Sequence, residues 1–137
     1  MEASVIWERD LSFTGRAASG DLLPMASASD KVGGFSPMEL VLLGLAGCTA
    51  MDVIAILGKK GKRVAGFEVR VQAERARAHP RMFTRATLQY RLRGDGLDRA
   101  AVERAIELST TKYCSVHAML GPTVAIDHSY ELTEAKA

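Results

Sequence analysis

Cysteine and aromatic residues are scarce in this chain of 137 residues, which has two cysteines and 6% aromatic side chains. Two cysteines are too few for a disulfide framework, or for a structural zinc site built from cysteine alone. The length is nevertheless enough to bury a core without covalent staples. We therefore expect one domain that spans residues 1–137.

Charge of one sign is also lacking, because the formal net charge is only +2. Such a small excess argues against nucleic acid or an anionic membrane surface as a partner. The first residues, MEASVIWERDLSF, have neither a basic region nor a long apolar run, so they do not resemble a signal peptide. We expect a cytoplasmic protein, in which Cys48 and Cys114 would not form a permanent structural bridge.

The familiar catalytic motifs are missing as well. The chain contains no dinucleotide-binding glycine pattern, phosphate-binding loop, nucleophile elbow or HExxH pair. Its three histidines share no ligand spacing with the cysteines or with one another. The sequence therefore predicts neither a cofactor nor a metal site.

One long apolar segment is present, between Ser36 and Gly58. Ser36 is suited to cap a helix, and Pro37 is suited to the first helical position. Glu39 stands three residues after Ser36 and completes a capping box. Gly58 is the expected C-terminal stop. The segment predicts a helix of about twenty residues, close to the length of a membrane span.

Several features of this helix argue against a membrane span. Glu39 and Asp52 lie within the apolar segment, and the chain has no second segment of this kind. A helix that is apolar on most faces is instead expected to be buried on all sides. Its small residues would let another helix approach closely; they are Gly44, Ala46, Gly47 and Ala50.

The remaining patterns predict an α+β fold with an antiparallel sheet, in the order β-β-β-α-β-β-α-β. Short strands are expected at 5–7, 11–15 and 22–25, with a loop rich in Ser, Ala and Gly over 25–36. Alternation predicts a hairpin made of the segments 66–74 and 79–94, which meet around Ala78–Arg81. A second helix follows the N-cap Asp98, then a short turn of helix capped by Ser115, then a last strand.

The two cysteines carry the strongest chemical indication. Cys48 lies in the long helix, where a lone cysteine is usually inert packing. Cys114 stands ahead of a predicted helical turn and near Lys112, and both features favour the thiolate. The chain can fold Cys114 back towards Cys48, which would make a peroxidatic and resolving pair. Such a pair needs a cation, but spacing alone does not choose Arg16 over the other arginines.

With these residues identified, the chain resembles the OsmC/Ohr family of thiol peroxidases. FTGRAASGDLL is similar to the early arginine hairpin of the family, GGFSPMELVLLGLAGCTAMDV to its central-helix motif, and ELSTTKYCSVHAML to its second-cysteine segment. The resemblance implies antiparallel sheets wrapped around long central helices in an intertwined homodimer, with sites at the dimer interface. It implies a role in defence against oxidative stress.

The same resemblance implies the roles of the site residues. Cys48 would be the peroxidatic cysteine, Cys114 the resolving cysteine, and Arg16 the cation that stabilises the thiolate. The substrate would be an organic hydroperoxide, or hydrogen peroxide as well, and a dithiol would supply the reducing equivalents. Met38 occupies the position where the family's peroxidases have a glutamate that pairs with the arginine. Glu39, one residue later, would either take over that pairing in a different geometry or serve only the capping box. Ser115 stands where a proline commonly follows the second cysteine.

Two other functions fit the sequence. One is a non-enzymatic dimer, a redox sensor or small-ligand binder that uses the same interfacial pocket. The other is a hot-dog-type thioesterase, in which a sheet also surrounds one long helix and Asp52 would be the acid or base. The second amphipathic helix after Asp98 argues against the thioesterase, because a hot-dog fold has one dominant helix.

Overall fold

A computed structural model describes residues 1–27 and 33–134. The chain divides into two compact units, Met1–Val41 and Leu42–Ala137. Whether they act as one domain over 1–137 stays a prediction. Residues 28–32, in the middle of the predicted loop, lie outside the described residues.

The first unit is a small antiparallel sheet in the order β1-β2-β3, made of Ala3–Arg9, Ser12–Ala17 and Leu22–Ala26. After β3, the backbone of Phe35 pairs with Pro24 and Ala26. Gly34 makes this approach possible, because its φ of 119° favours glycine and an added Cβ would lie 3.1 Å from the Pro24 oxygen. The chain is thereby led from the sheet into the first helix.

The long helix α1 runs from Pro37 to Lys59. The predicted capping box is confirmed: Ser36 N–H donates to Oε1 of Glu39 at 2.9 Å, and Glu39 N–H donates to Oγ of Ser36 at 3.2 Å. The predicted stop at Gly58 is wrong. The helix continues to Lys59, and the φ of 71° at Gly61, just beyond its end, lets the N–H of Lys62 return to the Leu57 oxygen.

The second unit combines a three-stranded sheet with helices. Its strands are β4 Gly66–Arg75, β5 Phe83–Arg93 and β6 Ala125–Thr133, and its helices are α2 Arg99–Leu108 and α3 Ser115–Leu120, with a π-helical turn at Ser109–Tyr113 between them. The hairpin of β4 and β5 and the N-cap Asp98 of α2 are confirmed. The two small sheets and the helices make a mixed α+β fold, as predicted.

The expectation of a purely antiparallel sheet is wrong for the second unit. Strand β6 pairs parallel with β5, in a register that joins Tyr90 to Tyr130. The chain leaves β5 at Arg93, passes through both short helices and re-enters the sheet beside Arg85, near the end where β5 began. A crossover of this kind produces a parallel neighbour, whereas a hairpin produces an antiparallel one.

The core of the second unit lies on one face of β5 and one face of each of the helices α1 and α2. The alternation in β5 correctly predicts four of its buried side chains, which are Ala86, Leu88, Tyr90 and Leu92; Phe83, at the start of the strand, is buried as well. Helix α2 buries Val102, Ala105 and Ile106. Helix α1 buries Leu45, Thr49, Val53 and Leu57, at helical spacing.

The expectation that α1 is buried on all sides is not met within one chain. Met51 is 72% exposed, Leu43 50% and Ile54 42%, on the side of the helix away from its buried residues. By length and composition alone, α1 is apolar enough to cross a membrane, and 28% of its most apolar stretch is buried. The helix therefore carries an uncovered apolar face.

Candidate functional site

Two free thiols and a carboxylate meet in the second unit. The Sγ atoms of Cys48 and Cys114 and a carboxylate oxygen of Asp52 all lie within 4.8 Å of one another. Cys48 and Asp52 are one helical turn apart on α1, so their side chains share a face. Cys114 reaches them from the connection between α2 and α3. The sequence-based expectation that this connection folds back to α1 is confirmed.

A π-helical turn sets the position of Cys114. The N–H of Cys114 donates to the Ser109 oxygen at 2.8 Å, one residue beyond the usual helical partner. Cys114 then leaves the helix in an extended conformation, and its Sγ accepts the N–H of His117 at 3.3 Å. Cys114, and not Ser115 as predicted, is thus the N-cap of α3, because Ser115 is already helical.

Hydrogen bonds favour the ionised form of Cys48. Partial burial of the thiol opposes ionisation. The backbone N–H of Val116, the thiol of Cys114, and the side chain and N–H of Ser115 together outweigh that burial and lower the pKa of Cys48. The Ser115 contribution is visible as an Oγ to Sγ distance of 3.8 Å. Cys48 therefore ionises more readily than an unperturbed thiol, and the thiolate is the nucleophilic form of cysteine.

Cys114 is shifted in the opposite direction. Burial raises its pKa to about 11, the N–H of His117 acts against this, and the bond to Cys48 and the charge of Asp52 raise it further. The expectation that a helix terminus and Lys112 favour the Cys114 thiolate is therefore wrong. The helix terminus contributes one N–H, burial outweighs it, and the Lys112 amine lies over the Tyr113 ring at 5.2 Å. Cys114 stays a thiol and donates its proton towards Cys48.

Buried hydroxyl groups hold Asp52 in place. Ser109 Oγ donates to Oδ2 of Asp52 at 2.9 Å. Thr49 Oγ1 lies 2.7 Å from both Ser109 Oγ and the Tyr90 hydroxyl, and these three residues are fully buried. Burial raises the pKa of Tyr90 to about 12, so its hydroxyl stays protonated.

Sequence reasoning did not connect Asp52 with the thiols and considered it only for a thioesterase. The available signal was its spacing of one helical turn from Cys48.

Arg16 and Glu39 belong to the first unit. Arg16 lies in β2 with an exposed side chain, and within the described residues of this unit no ion pair joins it to Glu39. Hydrogen bonds from the backbone and the side chain of Ser36 lower the pKa of Glu39. Because the thiols lie in the other unit, the predicted stabilisation of Cys48 by Arg16 stays a prediction, as do the assigned roles of Cys48, Cys114 and Glu39.

The structure combines a two-thiol site with an α+β fold and a long apolar helix. Comparison with known proteins identifies the class of protein that has this combination. Residues 28–129 match the family model described as OsmC-like protein. The chain belongs to the OsmC-like family, which confirms the resemblance seen in its sequence. It is 44% identical to Protein YhfA of Escherichia coli, over 98% of this chain and 100% of that protein.

Solved structures of similar fold agree with this assignment. A protein from Aquifex aeolicus, described as hypothetical, is 28% identical, with a TM-score of 0.88 over 97% of this chain and 96% of that one. An organic hydroperoxide resistance protein OsmC from Legionella pneumophila has a TM-score of 0.73 at 13% identity, over 95% of both chains. The organic hydroperoxide resistance protein OhrB of Bacillus subtilis has a TM-score of 0.69 at 14% identity, over 96% of this chain and 98% of that one. The last two share the fold.

Proposed function

We propose that this protein is a thiol-dependent peroxidase that reduces organic hydroperoxides in defence against oxidative stress. The observation that carries the proposal is the opposite shift of two adjacent thiols. The pKa of Cys48 is lowered while that of Cys114 is raised, and the Cys114 thiol donates to Cys48. One sulfur is thus ready to attack, and the other is held back until the first is oxidised. The hydroperoxide resistance proteins that share this fold point to the same substrate class.

The first step is attack by the Cys48 thiolate on the terminal oxygen of the hydroperoxide. The O–O bond breaks, a sulfenic acid forms on Cys48, and the alkoxide takes up a proton to leave as the alcohol. The hydrogen bonds from Val116 and Ser115 hold the thiolate for this reaction. Hydrogen peroxide would react in the same way, with water as the product.

The second step joins the two sulfurs. Cys114 attacks the sulfenic sulfur of Cys48, a disulfide forms, and the hydroxyl group leaves as water. Sγ atoms within 4.8 Å require little movement to reach bonding distance. An external dithiol then reduces the disulfide by exchange, which returns both thiols.

Arg16 is the proposed cation of the site. A thiolate in an apolar interface is unfavourable unless a positive charge lies beside it. The guanidinium group suits this role, because it keeps its proton and can also stabilise the negative charge on the departing oxygen. In the proposal, Glu39 orients Arg16 in place of the glutamate that Met38 replaces.

A homodimer is the proposed working form. The apolar face of α1 includes Leu43, Met51 and Ile54, and Gly44 and Gly47 on the helix have open space around them. A second α1 would cover this face, and glycines let two helix backbones approach closely. The mutual burial of two such helices removes the uncovered apolar surface from water.

The first unit supports an intertwined arrangement of the two protomers. Strand β1 exposes Val5, Ile6 and Trp7, and Trp7 is 64% exposed within one chain. We propose that this sheet packs on the partner protomer and completes the pocket around Cys48 with Arg16. We further propose that the dimer works in the cytoplasm, where dithiol reductants are available.

A thiol count tests the function. The reduced protein receives one equivalent of cumene hydroperoxide, and free thiols and intramolecular disulfide are then measured. We expect the loss of two thiols per chain, followed by continuous peroxide consumption once dithiothreitol is added. Unchanged thiols would contradict the proposal, and Cys48→Ser is the negative control.

The redox sensor or ligand-binding dimer remains the second candidate function. One contact favours it: Oε1 of Glu39 already accepts the Ser36 N–H, and this leaves less of the carboxylate for Arg16. A weakly oriented arginine suits a thiol that is oxidised once and read by a partner. Oxidation of both thiols without turnover in dithiothreitol would favour this second function.

A further inference from the structure

The hydroxyl groups of Tyr90, Thr49 and Ser109 form a buried chain of hydrogen bonds that ends on Asp52, and the donors in this chain can be arranged in only one way. A hydroxyl group has a single proton to donate, and Ser109 donates its own to the Asp52 carboxylate. The 2.7 Å contact between Ser109 and Thr49 must therefore use the proton of Thr49. The 2.7 Å contact between Thr49 and Tyr90 must in turn use the proton of Tyr90. All three protons point towards Asp52.

Because the chain of hydroxyl groups donates to Oδ2 of Asp52, it fixes the position of the carboxylate and leaves Oδ1 available to accept a proton. Successive hydrogen bonds in a buried chain polarise one another and strengthen the last bond, which here ends on Oδ2 of Asp52. Among the residues that the structure describes, none donates a hydrogen bond to Oδ1. A carboxylate with one anchored oxygen therefore stands beside both sulfurs of the site.

The proposed second step needs such a group. Burial raises the pKa of Cys114 to about 11, so this thiol is almost entirely protonated at neutral pH. A protonated thiol is a poor nucleophile, because the thiolate is the attacking species. The proton of Cys114 must leave as the sulfur attacks, and the hydroxyl on Cys48 must gain a proton before it departs.

We propose that Asp52 accepts the proton of the Cys114 thiol and passes it to the hydroxyl that leaves Cys48. This inference rests on the proposed peroxidase cycle and adds a catalytic residue to its resolving step. Tyr90, Thr49 and Ser109 are positioning residues that act through the carboxylate.

The step balances without another reactant. The Cys114 S–H bond breaks and its proton passes to Oδ1 of Asp52, directly or through one water molecule. The bond between the two sulfurs forms while the S–O bond of the sulfenic acid breaks. The departing hydroxide takes the proton from Asp52 and becomes water. The sulfenic sulfur is reduced and the Cys114 sulfur is oxidised, by equal amounts.

The variant Asp52→Asn distinguishes two roles that the carboxylate could have: accepting a proton, or acting only through its negative charge. Asparagine keeps the shape of the side chain and an oxygen that accepts from Ser109, so the fold should be retained. The negative charge of Asp52 contributes to the raised pKa of Cys114. If Asp52 acted through charge alone, its removal would make Cys114 more acidic and the second step faster. If it accepts the proton, the second step slows.

The first experiment follows both steps after mixing with cumene hydroperoxide, by dimedone trapping of sulfenic acid and by disulfide formation, with EDTA present. In Asp52→Asn we expect Cys48 oxidation within twofold of the parent and disulfide formation at least tenfold slower at pH 7. The slow step should accelerate tenfold per pH unit, because it then depends on spontaneous ionisation of Cys114. In the parent protein, the rate of disulfide formation should change much less with pH.

A second experiment does not use peroxide. Dithionitrobenzoate converts Cys48 to a mixed disulfide, and attack by Cys114 then releases a second nitrothiobenzoate anion. We expect Asp52→Asn to slow this second release and to leave the first unchanged. Because the readout needs no sulfenic acid, it tests Asp52 even if the parent fails to react with hydroperoxide.

Three matched variants complete the test. Asp52→Glu keeps a carboxylate and should recover part of the second rate. Ser109→Ala releases Oδ2 and should give an intermediate rate with the same pH trend. Thr111→Ala removes an exposed hydroxyl from the same π-helical turn, where it bonds to the Glu107 oxygen, and should match the parent. A second-step rate in Asp52→Asn equal to or faster than the parent, in both experiments, would overturn the inference.

Discussion

The thiol of Cys114 donates towards the sulfur of Cys48, and this contact adds to two shifts that have other main causes: burial raises the pKa of Cys114, and backbone hydrogen bonds lower that of Cys48. The two cysteines are therefore not interchangeable, although they lie within 4.8 Å of each other. Each thiol sets the reactivity of its neighbour, and oxidation of Cys48 removes the thiolate that Cys114 was bonded to. In the proposed cycle, this contact favours the thiolate of Cys48 for the first step, and its loss on oxidation leaves Cys114 available for disulfide formation in the second.

The division of roles can be tested by replacing each cysteine. Cys48→Ser should abolish peroxide consumption, because the nucleophile is lost. Cys114→Ser should still permit one oxidation, after which Cys48 stays as sulfenic acid and is open to overoxidation. Mass spectrometry after stepwise addition of cumene hydroperoxide distinguishes these states. The reverse pattern, with Cys114→Ser inactive at the first step, would mean that the roles are exchanged.

Ser115 supplies the second prediction, on pH dependence. Its hydroxyl lies 3.8 Å from the Cys48 sulfur and helps to lower the pKa of that thiol. Ser115→Ala should raise the pKa, so the rate of Cys48 oxidation falls at neutral pH and recovers as pH increases. One hydrogen bond contributes about 1 kcal/mol, so we expect a decrease of roughly fivefold.

The measurement for Ser115 is the rate of Cys48 alkylation by iodoacetamide between pH 5 and pH 10. Ser115→Thr keeps a hydroxyl group and serves as the control. Since only the thiolate reacts, the parent profile should rise at lower pH than that of Ser115→Ala. Superimposable profiles would show that the hydroxyl group is irrelevant to the thiolate.

Arg16 and Glu39 give the third prediction. Arg16→Met should slow the oxidation of Cys48 by tenfold or more, which equals about 1.4 kcal/mol of lost transition-state stabilisation. Arg70→Met, on the exposed face of β4, is the matched control. If Glu39 orients Arg16, Glu39→Gln should also slow the oxidation of Cys48, but by less than Arg16→Met does. Because glutamine also closes the capping box, an unchanged rate would assign Glu39 to the helix start alone.

The rates for these three variants are second-order constants with cumene hydroperoxide, measured across pH. A parent-like rate for Arg16→Met at every pH would remove the proposed cation from the mechanism. The sensor or ligand-binding function would then become the leading one.

The uncovered face of α1 gives the fourth prediction. Met51 is 72% exposed within one chain, and we expect it to be buried against the partner. Met51→Glu would place a charge in that interface and should produce a monomer at low micromolar concentration in analytical ultracentrifugation. Met82→Glu makes the same change beside the β4–β5 turn and should leave the dimer intact. A monomeric parent, or a parent that requires detergent, would contradict the dimer.

Local patterns were sufficient for most of the fold. The capping box of Ser36 and Glu39, the alternation in β4 and β5, and the N-cap Asp98 act through near neighbours, so sequence spacing reveals them. The parallel pairing of β6 was missed, because it depends on where a crossover ends and not on the pattern of the strand itself. The end of α1 was misplaced because Gly58 and Gly61 are both plausible stops, and the backbone conformation selects the second.

The site was predictable in its residues and less so in its electrostatics. Spacing and family resemblance brought together Cys48 and Cys114. The raised pKa of Cys114 follows from burial, which no local pattern near Lys112 reveals. Asp52 was not linked to the thiols, because its partner Ser109 is distant in the sequence and the turn that presents Ser109 has an unusual hydrogen-bond spacing.

That turn holds one residue more than the geometry of the thiols requires. Ser109–Tyr113 accommodates one residue more than a regular helix would over the same rise. With one residue fewer, the segment would relax to α-helical spacing, and the cysteine that follows would still donate its N–H to the Ser109 oxygen, four residues earlier instead of five. Its sulfur would therefore keep its direction towards Cys48. We expect deletion of a surface residue such as Thr111 to leave the two thiols side by side, so this turn is spare chain length that the redox pair does not need.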